Sequence, residues 1–506
     1  MARSPPHLSK SRYLAGLQCE RRLWLGWHQP EPMIDAAPGS ILAVGHEVGD
    51  HAQKLFPGGV LVGGGPREFW EAVDQTQILL ADLAVTTIFE PAFEFDDVWV
   101  RVDLLERTPG GGWIINEVKS STRVKPENIH DLAIQRYVLE GCGLCVEATK
   151  LVHVNTSYLR GKSGIDWPSY FRKVDVTADV QVAIAEVPGR VRAFHQILAR
   201  QHPPERRPSS HCFEPFECEF WGRCTADKPT DWVWHLPRLS ASRFAALEDL
   251  AVDSIAAIPD NFPLNSQQRR VVEAFRLGKL VIQPSLSKAL SVPPGPWRFL
   301  DFETFSPAIP LYAETRPYQR IPAQWSLHIG DAGDGLAHHE FLAELSEDPR
   351  RAFCETLLAA AGQEGPVFVY SPFEGSTLKE LAHQFPDLAE EIRALIARLV
   401  DLLPVVRANV DHPGFGGSNS IKAVGPVLVP SLDYDDLAEV ADGGSAAAAL
   451  YRLATGAFQR GESAAGVRKD LLRYCSRDTE VLANVWQALV ALANGVAPAS
   501  ADEGVG

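Results

Sequence analysis

The sequence predicts an α/β chain of two domains joined by a small helical connector, and three stretches carry that prediction. DVWVRVDLLER (97–107) and WIINEVKSS (113–121) read as two strands around the turn TPGGG. WRFLDFETF (297–305) reads as a strong, buried strand directly after the breaker segment SVPPGPW. DLLRYCSRDTEVLANVWQALVAL (470–492) is helical, with Leu471, Cys475, Leu482, Val485 and Leu489 on one apolar stripe. The expected layout is a first domain at 1–228, a helical connector at 229–292, a second domain at 293–495, and a small polar tail at 496–506 that reads as disordered.

Length and composition fit this layout. At 506 residues the chain is too long for one ordinary core. Its 45% hydrophobic and 22% charged residues are those of a soluble globular protein. No apolar run approaches the roughly 20 residues of a spanning helix, and the first residues lack the pattern of a signal peptide. A cytoplasmic protein with no membrane partner is therefore expected. The net charge of −16 argues against a surface coated in base. Short basic groups at Lys10, Arg12, Arg21 and Arg22, at Arg206 and Arg207, and at Arg269 and Arg270 read as ordinary solvated surface.

In the first domain Asp103 follows Val98, Val100 and Val102 in a mostly apolar strand, where an unpaired carboxylate is costly. Glu117 and Lys119 are two apart on the next strand and so share a face. Asp103 and Glu117 can then share a divalent cation, with the Lys119 ammonium steadying water or phosphate. Oxygen ligands of this kind suit Mg²⁺ or Mn²⁺. A Glu-x-Lys pair on a solvated strand face is the plainer alternative.

Asp103, then Glu117-Val-Lys119, then a helix, resembles the PD-(D/E)XK core of RecB-type nucleases. The opening LSKSRYLAGLQCERRLWL resembles the N-terminus of CRISPR-associated RecB-like adaptation nucleases. It is closer still to a bacterial family of predicted RecB-type nucleases whose C-terminal half was listed as a domain of unknown function. The resemblance implies a restriction-endonuclease-like fold and a DNA nuclease or DNA grip. Two positions depart from the pattern. Gly49 stands where that family's histidine is expected, with His46 and His51 nearby. Asp131 and Gln135, one helical turn apart, stand in place of its Gln-x-x-x-Tyr.

The eight cysteines are too uneven for a disulfide framework. Cys212, Cys218 and Cys224 fall within thirteen residues, and buried free thiols, a zinc site completed by His211, or an iron–sulfur cluster all fit. In iron–sulfur RecB-like nucleases one cysteine precedes the core and three follow it. Cys19 with Cys212, Cys218 and Cys224 repeats that arrangement, which implies a 4Fe–4S cluster, although the C-x5-C-x5-C spacing is longer than the family's usual C-x2-C-x5-C. Cys142 and Cys145 read as packing residues.

In the second domain Asp301 and Glu303 point to one face of the 297–305 strand, either as metal ligands or as a strand end reaching solvent. Asp478 falls inside an apolar helical stripe, one turn after Tyr474. Tyr474-x-x-x-Asp478 resembles the third motif of tyrosine-type DnaQ-like (DEDD) exonucleases, which have an RNase H-like mixed-sheet fold. There the tyrosine orients water and the aspartate binds metal. Ser371-Pro-Phe-Glu374 follows the strand PVFVY and supplies either the third carboxylate or a helix capping box, with Asp401 as the substitute ligand. The function expected from all this is metal-dependent phosphodiester hydrolysis, with 3′–5′ trimming in the second domain and DNA as favoured substrate over RNA. The alternative is a catalytically degenerate nucleic-acid-binding scaffold.

Overall fold

The computed structural model describes residues 7–31, 38–65, 68–292, 295–330, 335–430, 440 and 442–496. The chain divides into two compact units, both mixed α/β: residues 1–227 with 307–319, and residues 228–306 with 320–506. The helices of 229–292 therefore pack as part of the second unit, while 307–319 packs as part of the first. Most of the tail read as disordered, from residue 497 on, lies outside the described residues. No helix among the described residues is long and apolar enough to cross a membrane.

The first unit is built on a six-stranded mixed sheet in the order Val60–Leu61, Thr87–Phe89, Leu104–Arg107, Trp113–Lys119, Val146–Val154, Phe171–Asp175. Trp113–Lys119 pairs antiparallel with Leu104–Arg107 and parallel with Val146–Val154, and the helix Pro126–Gly141 makes the parallel crossover. The 97–107 stretch, one strand by its alternation, is in fact two. Val98–Arg101 joins a separate sheet with Ala92–Phe95 and Leu8–Ser9, whereas Leu104–Arg107 joins the large one. The pattern hides the break because Val98, Val100, Val102, Leu104 and Leu105 are all buried on one side of it or the other. Asp103 consequently sits at the corner between two sheets, not on a strand as its sequence suggested.

Pairing of Leu8–Ser9 with Val98–Arg101 also fixes the start of the helix Lys10–Gln18 beside that corner, and Ser9 caps it by accepting from Arg12 N at 3.2 Å. The 307–319 segment is bound largely through its backbone. Tyr170 Oη donates to Ala308 O at 3.0 Å, and Arg160 N and O pair with Thr315 O and Glu314 N at 3.0 and 2.9 Å. Ala308 and Ile309 complete an apolar cluster with Tyr158, Tyr170 and Phe171.

The second unit holds a five-stranded sheet in the order Ala337–Leu342, Ile321–Gly330, Trp297–Phe305, Val367–Val369, Leu399–Asp401. Ile321–Gly330 runs antiparallel to both its neighbours, while Trp297–Phe305, Val367–Val369 and Leu399–Asp401 run parallel to one another. Strand alternation sorts the two faces. Leu300 and Phe302 pack with Phe353, Leu357 and Ile392 from the helices Arg350–Ala361 and Ala389–Ala397. Phe299 packs with Leu482 and Trp486 from the long helix Ala464–Ala493. Asp301 and Glu303 share the parity of Phe299, so the sheet turns them toward the helix that carries Tyr474 and Asp478. A small strand pair, Val281–Ile282 with Val410–Asp411, ties the 229–292 region into this unit.

Candidate functional site

In the first unit Asp103, Glu117, Lys119, Asp131 and Gln135 converge. Val118 N donates to Asp103 Oδ2 at 2.7 Å, which locks the corner carboxylate onto the central strand. Lys119 Nζ bridges Glu117 Oε1 and Asp131 Oδ2 at 2.6 and 2.7 Å. Gln135 Nε2 donates to Glu117 Oε2 at 2.9 Å and Asp131 Oδ1 at 3.1 Å. Sequence reasoning missed the central member. Lys10, read as surface, puts its Nζ 2.9 Å from Glu117 Oε1 and 3.8 Å from oxygens of both Asp103 and Asp131. Only the paired strand Leu8–Ser9 brings it there, and a lysine at a helix start carries no signal of that.

The charges are nearly balanced. Burial would raise Glu117, but ion pairs with Lys10 and Lys119 hold it below the ordinary carboxylate range. Burial and the neighbouring Glu117 push Asp103 up to about 7. Glu90, also missed, sits at φ 55 between two strands, and burial raises its carboxyl too, with Lys10 and Glu117 among its charged neighbours. The histidine position of the resemblance is not filled at this cluster. His51 stacks on Trp167 at 4.1 Å, and its charged neighbours are Lys54, Glu47 and Asp50.

Cys19, Cys212, Cys218 and Cys224 line one small cavity with Arg21, Arg22, Arg206 and Arg207. Cys19 is reached through a break in the chain: it is extended, at φ −161° and ψ 121°, and serves as C-cap of Lys10–Gln18 and N-cap of Glu20–His28. Gln18 Nε2 ties this break to the cysteine-rich loop by donating to His211 O and Phe216 O at 2.8 and 2.6 Å. Burial raises the thiols of Cys212 and Cys224 and pushes that of Cys218 up to about 11. Cys142 lies elsewhere, donating to Glu94 O at 3.2 Å.

In the second unit a cavity of about 740 Å³ is lined by Asp301, Glu303, Glu374, Tyr474 and Asp478 together, with Lys422 the one basic residue in its lining. Asp301, Glu303 and Cys475 bring one ligand-type atom each within 4.8 Å of one another, the only such group among the described residues. Burial first, then repulsion from Asp478 at Asp301 and from Asp301 at Glu303, raises both carboxyls well above the ordinary range. Tyr474 Oη hydrogen-bonds to Asp478 and accepts from Lys422 Nζ at 2.9 Å. Burial and the three carboxylates raise its pKa strongly, so the phenol stays protonated. Cys475, read as an apolar stripe residue, donates to Asp301 Oδ2 at 3.7 Å. Burial and the same carboxylates keep it a neutral thiol.

Glu374 sits in the first turn of Phe373–Gln384, buried, and burial pushes it up to about 7. Ser371 Oγ accepts from Phe373 N at 3.0 Å and donates to Glu374 Oε2 at 3.4 Å. The N-cap is Pro372 and takes no side-chain hydrogen bond, so the serine ties only the first helical N–H, while the glutamate lines the cavity and no reciprocal box forms. Asp401, the substitute, is occupied as the N-cap of Leu402–Asn409, accepting from Leu403 N at 2.9 Å, and does not line the cavity.

Comparison with known proteins adds one family match. A family described as "Domain of unknown function (DUF2779)" matches residues 298–420. No curated protein matches significantly. A solved structure titled "Crystal structure of SSO0001" is similar over 40% of this chain and 82% of that chain, at 11% identity and a TM-score of 0.18.

Proposed function

We propose that the chain is a metal-dependent nucleic-acid hydrolase whose second unit trims single strands from the 3′ end. The observation that carries this reading is the convergence of Asp301, Glu303, Glu374 and Asp478 on one cavity with a single lysine to offset them. Four carboxyls from a strand, a helix start and a late helix are expensive to bury together unless cations enter. The strand order, with paired carboxylates on the middle strand and the last one on the closing helix, supports an RNase H-like fold. Bound to these oxygens, Mg²⁺ or Mn²⁺ supplies charge to the phosphate and lowers the pKa of the attacking water. The protein's own part is positional. Tyr474, held by Lys422 and Asp478, is placed to orient that water in line with the 3′ oxygen that leaves.

The first unit is the DNA-gripping or slower nuclease half of the same enzyme, on a PD-(D/E)XK-like core. Lys10 favours grip over cutting there, because two ammonium groups already offset three carboxylates. The cysteines suit a 4Fe–4S cluster with four thiolate ligands. A tetrahedral zinc with Zn–S near 2.3 Å needs sulfurs about 3.8 Å apart. No three of these sulfurs lie within 4.8 Å of one another, nor do two of them with His211. The four lining arginines favour an anionic cluster.

The test is the full-length protein on end-labelled single- and double-stranded DNA and RNA, with Mg²⁺, Mn²⁺ or EDTA. Ladders shortening from the 3′ end of single strands, abolished by EDTA, are expected. A folded protein that binds no divalent metal and shortens no strand overturns the hydrolase. Anaerobic purification should give brown protein with iron and sulfide that Cys19→Ala bleaches; colourless protein with stoichiometric zinc overturns the cluster.

A further inference from the structure

A cleft in the first unit is left unused by either carboxylate site. Its walls come from three helices and two loops. Lys10–Gln18 supplies Leu14, Leu17 and Gln18; the loop before Pro126–Gly141 and that helix's first turns supply Arg123, Lys125, Glu127 and His130; the remainder includes Arg190, Arg206 and Glu214. Four permanent cations face two carboxylates; Lys125 pairs with Glu127 at 3.7 Å and Arg190 with Glu186 at the N-cap of its own helix, which leaves Arg123 and Arg206 against Glu214. His130 and His211 add no charge at neutral pH, since burial and neighbouring arginines lower both. In a chain of net charge −16 the lining is nonetheless net basic.

The position of the cleft gives it a direction. Lys10, at one end of the first helix, lies among Asp103, Glu117 and Asp131. Cys19, at the other end, lines the thiol cavity, and Arg206 and His211 line both that cavity and the cleft. Nine helical residues span about 14 Å. On the opposite wall His130 faces the cleft and its neighbour Asp131 faces the carboxylates.

We propose that this cleft binds single-stranded nucleic acid, with backbone phosphates on Arg123, Lys125, Arg190 and Arg206, and leads the strand from the cysteine-bound end to the Asp103–Glu117–Asp131 cluster. Charge complementarity selects a polyanion, and the apolar surface of Leu14, Leu17, Val124 and Pro126 between the cations suits the bases and sugars of an unpaired strand. A duplex keeps the faces of its bases stacked away from that surface. The proposal deepens the nucleic-acid reading above and rests on it for the polymer, but it requires no cleavage.

The test uses the full-length protein in EDTA, so that binding is read without hydrolysis. A fluorescein-labelled oligothymidylate of about 20 nucleotides is titrated at several KCl concentrations. Arg123 and Arg206 are both exposed, so Arg123→Glu with Arg206→Glu should leave the fold intact, as checked by thermal melting. The double variant should bind at least ~10-fold more weakly, with a salt slope smaller by about 1.4, at roughly 0.7 per lost phosphate contact. Arg172→Glu with Lys162→Glu makes the same charge change at exposed positions outside the cleft and should change neither. Photo-crosslinking with 4-thiothymidine should label peptides containing 10–18 or 123–130. Unchanged affinity and slope, labels only outside these peptides, or equal binding of duplex DNA or poly-glutamate each overturns the cleft. Weakened binding by a protein that never cleaves keeps the cleft and removes the nuclease.

Discussion

In the first unit three carboxylates, Asp103, Glu117 and Asp131, are held around the ammonium groups of Lys10 and Lys119. In the second unit Asp301, Glu303, Glu374 and Asp478 face a cavity with Lys422 alone, and that lysine is engaged by Tyr474. The same side-chain chemistry therefore sits in two different electrostatic states. The first cluster is close to neutral as folded, and its carboxylates are spaced by Lys10. Its two ammonium groups hold Glu117 low even though burial raises Asp103 and Asp131, whereas the second is short of positive charge and Asp301, Glu303 and Glu374 are all raised. Proximity of acids alone does not mark a metal site; the surplus of charge after every ammonium is counted does.

The sharpest way to break the comparison is to remove a ligand from the second site. Asp301→Asn or Asp478→Asn should reduce strand shortening by more than the roughly 100-fold expected of an outer-shell group and abolish Mn²⁺ binding seen by EPR. Lys119→Ala should leave that activity intact. If Asp301→Asn binds and cleaves normally, the surplus-charge argument fails.

The next effect is a pH dependence of opposite origin from ordinary acid denaturation. Glu374 has a folded pKa raised to about 7. Its stabilising contribution is fully present below its unfolded pKa near 4.5 and is lost as pH rises through 7. Without metal, the second unit should lose on the order of 3 kcal/mol from this group between about pH 5 and 8. Millimolar Mg²⁺ should flatten the loss, because metal binding displaces the same proton. A metal-free melting temperature that rises over this range contradicts the raised carboxyls.

Lys10→Met tests the first site by making it resemble the second. Stability of the first unit should fall by about 2 kcal/mol, since a buried carboxylate loses a partner, while Mn²⁺ affinity at the Asp103–Glu117–Asp131 cluster should increase. Loss of stability with no gain in metal binding makes Lys10 a structural counter-ion only. The smallest effect is expected for Ser371→Ala: about 1 kcal/mol from the lost hydrogen bond with Phe373 N, read by denaturant titration, with activity reduced far less than by loss of a carboxylate.

What the sequence disclosed follows from the range of the interactions involved. Asp301 with Glu303 and Tyr474 with Asp478 are legible because strand and helix periodicity places each pair on one face, and a carboxylate in an apolar stripe is conspicuous. Asp131 and Gln135 are legible for the same reason. Lys10, Lys422 and Glu90 are not: Lys10 arrives by the strand pairing of Leu8–Ser9, Lys422 on a separate helix, and Glu90 in a tight turn between strands, and no local period marks any of them. The corner at Asp103 is masked by alternation that continues across two sheets. Cys475 is hidden by its own burial, since a thiol on an apolar stripe looks the same whether or not it donates to a carboxylate beneath it.

The split composition of the first unit has a consequence for how the protein is born. Its cysteines are all synthesised by residue 224, but Ala308 and Ile309 emerge only after roughly 80 further residues, about 4–16 s later at 5–20 residues per second. A nascent chain on the ribosome thus has its thiol set complete, and ready for metallation, while the apolar seat formed by Tyr158, Tyr170 and Phe171 still waits for its occupant. For the same reason a gene fragment ending near residue 292 encodes a first unit with that seat permanently open.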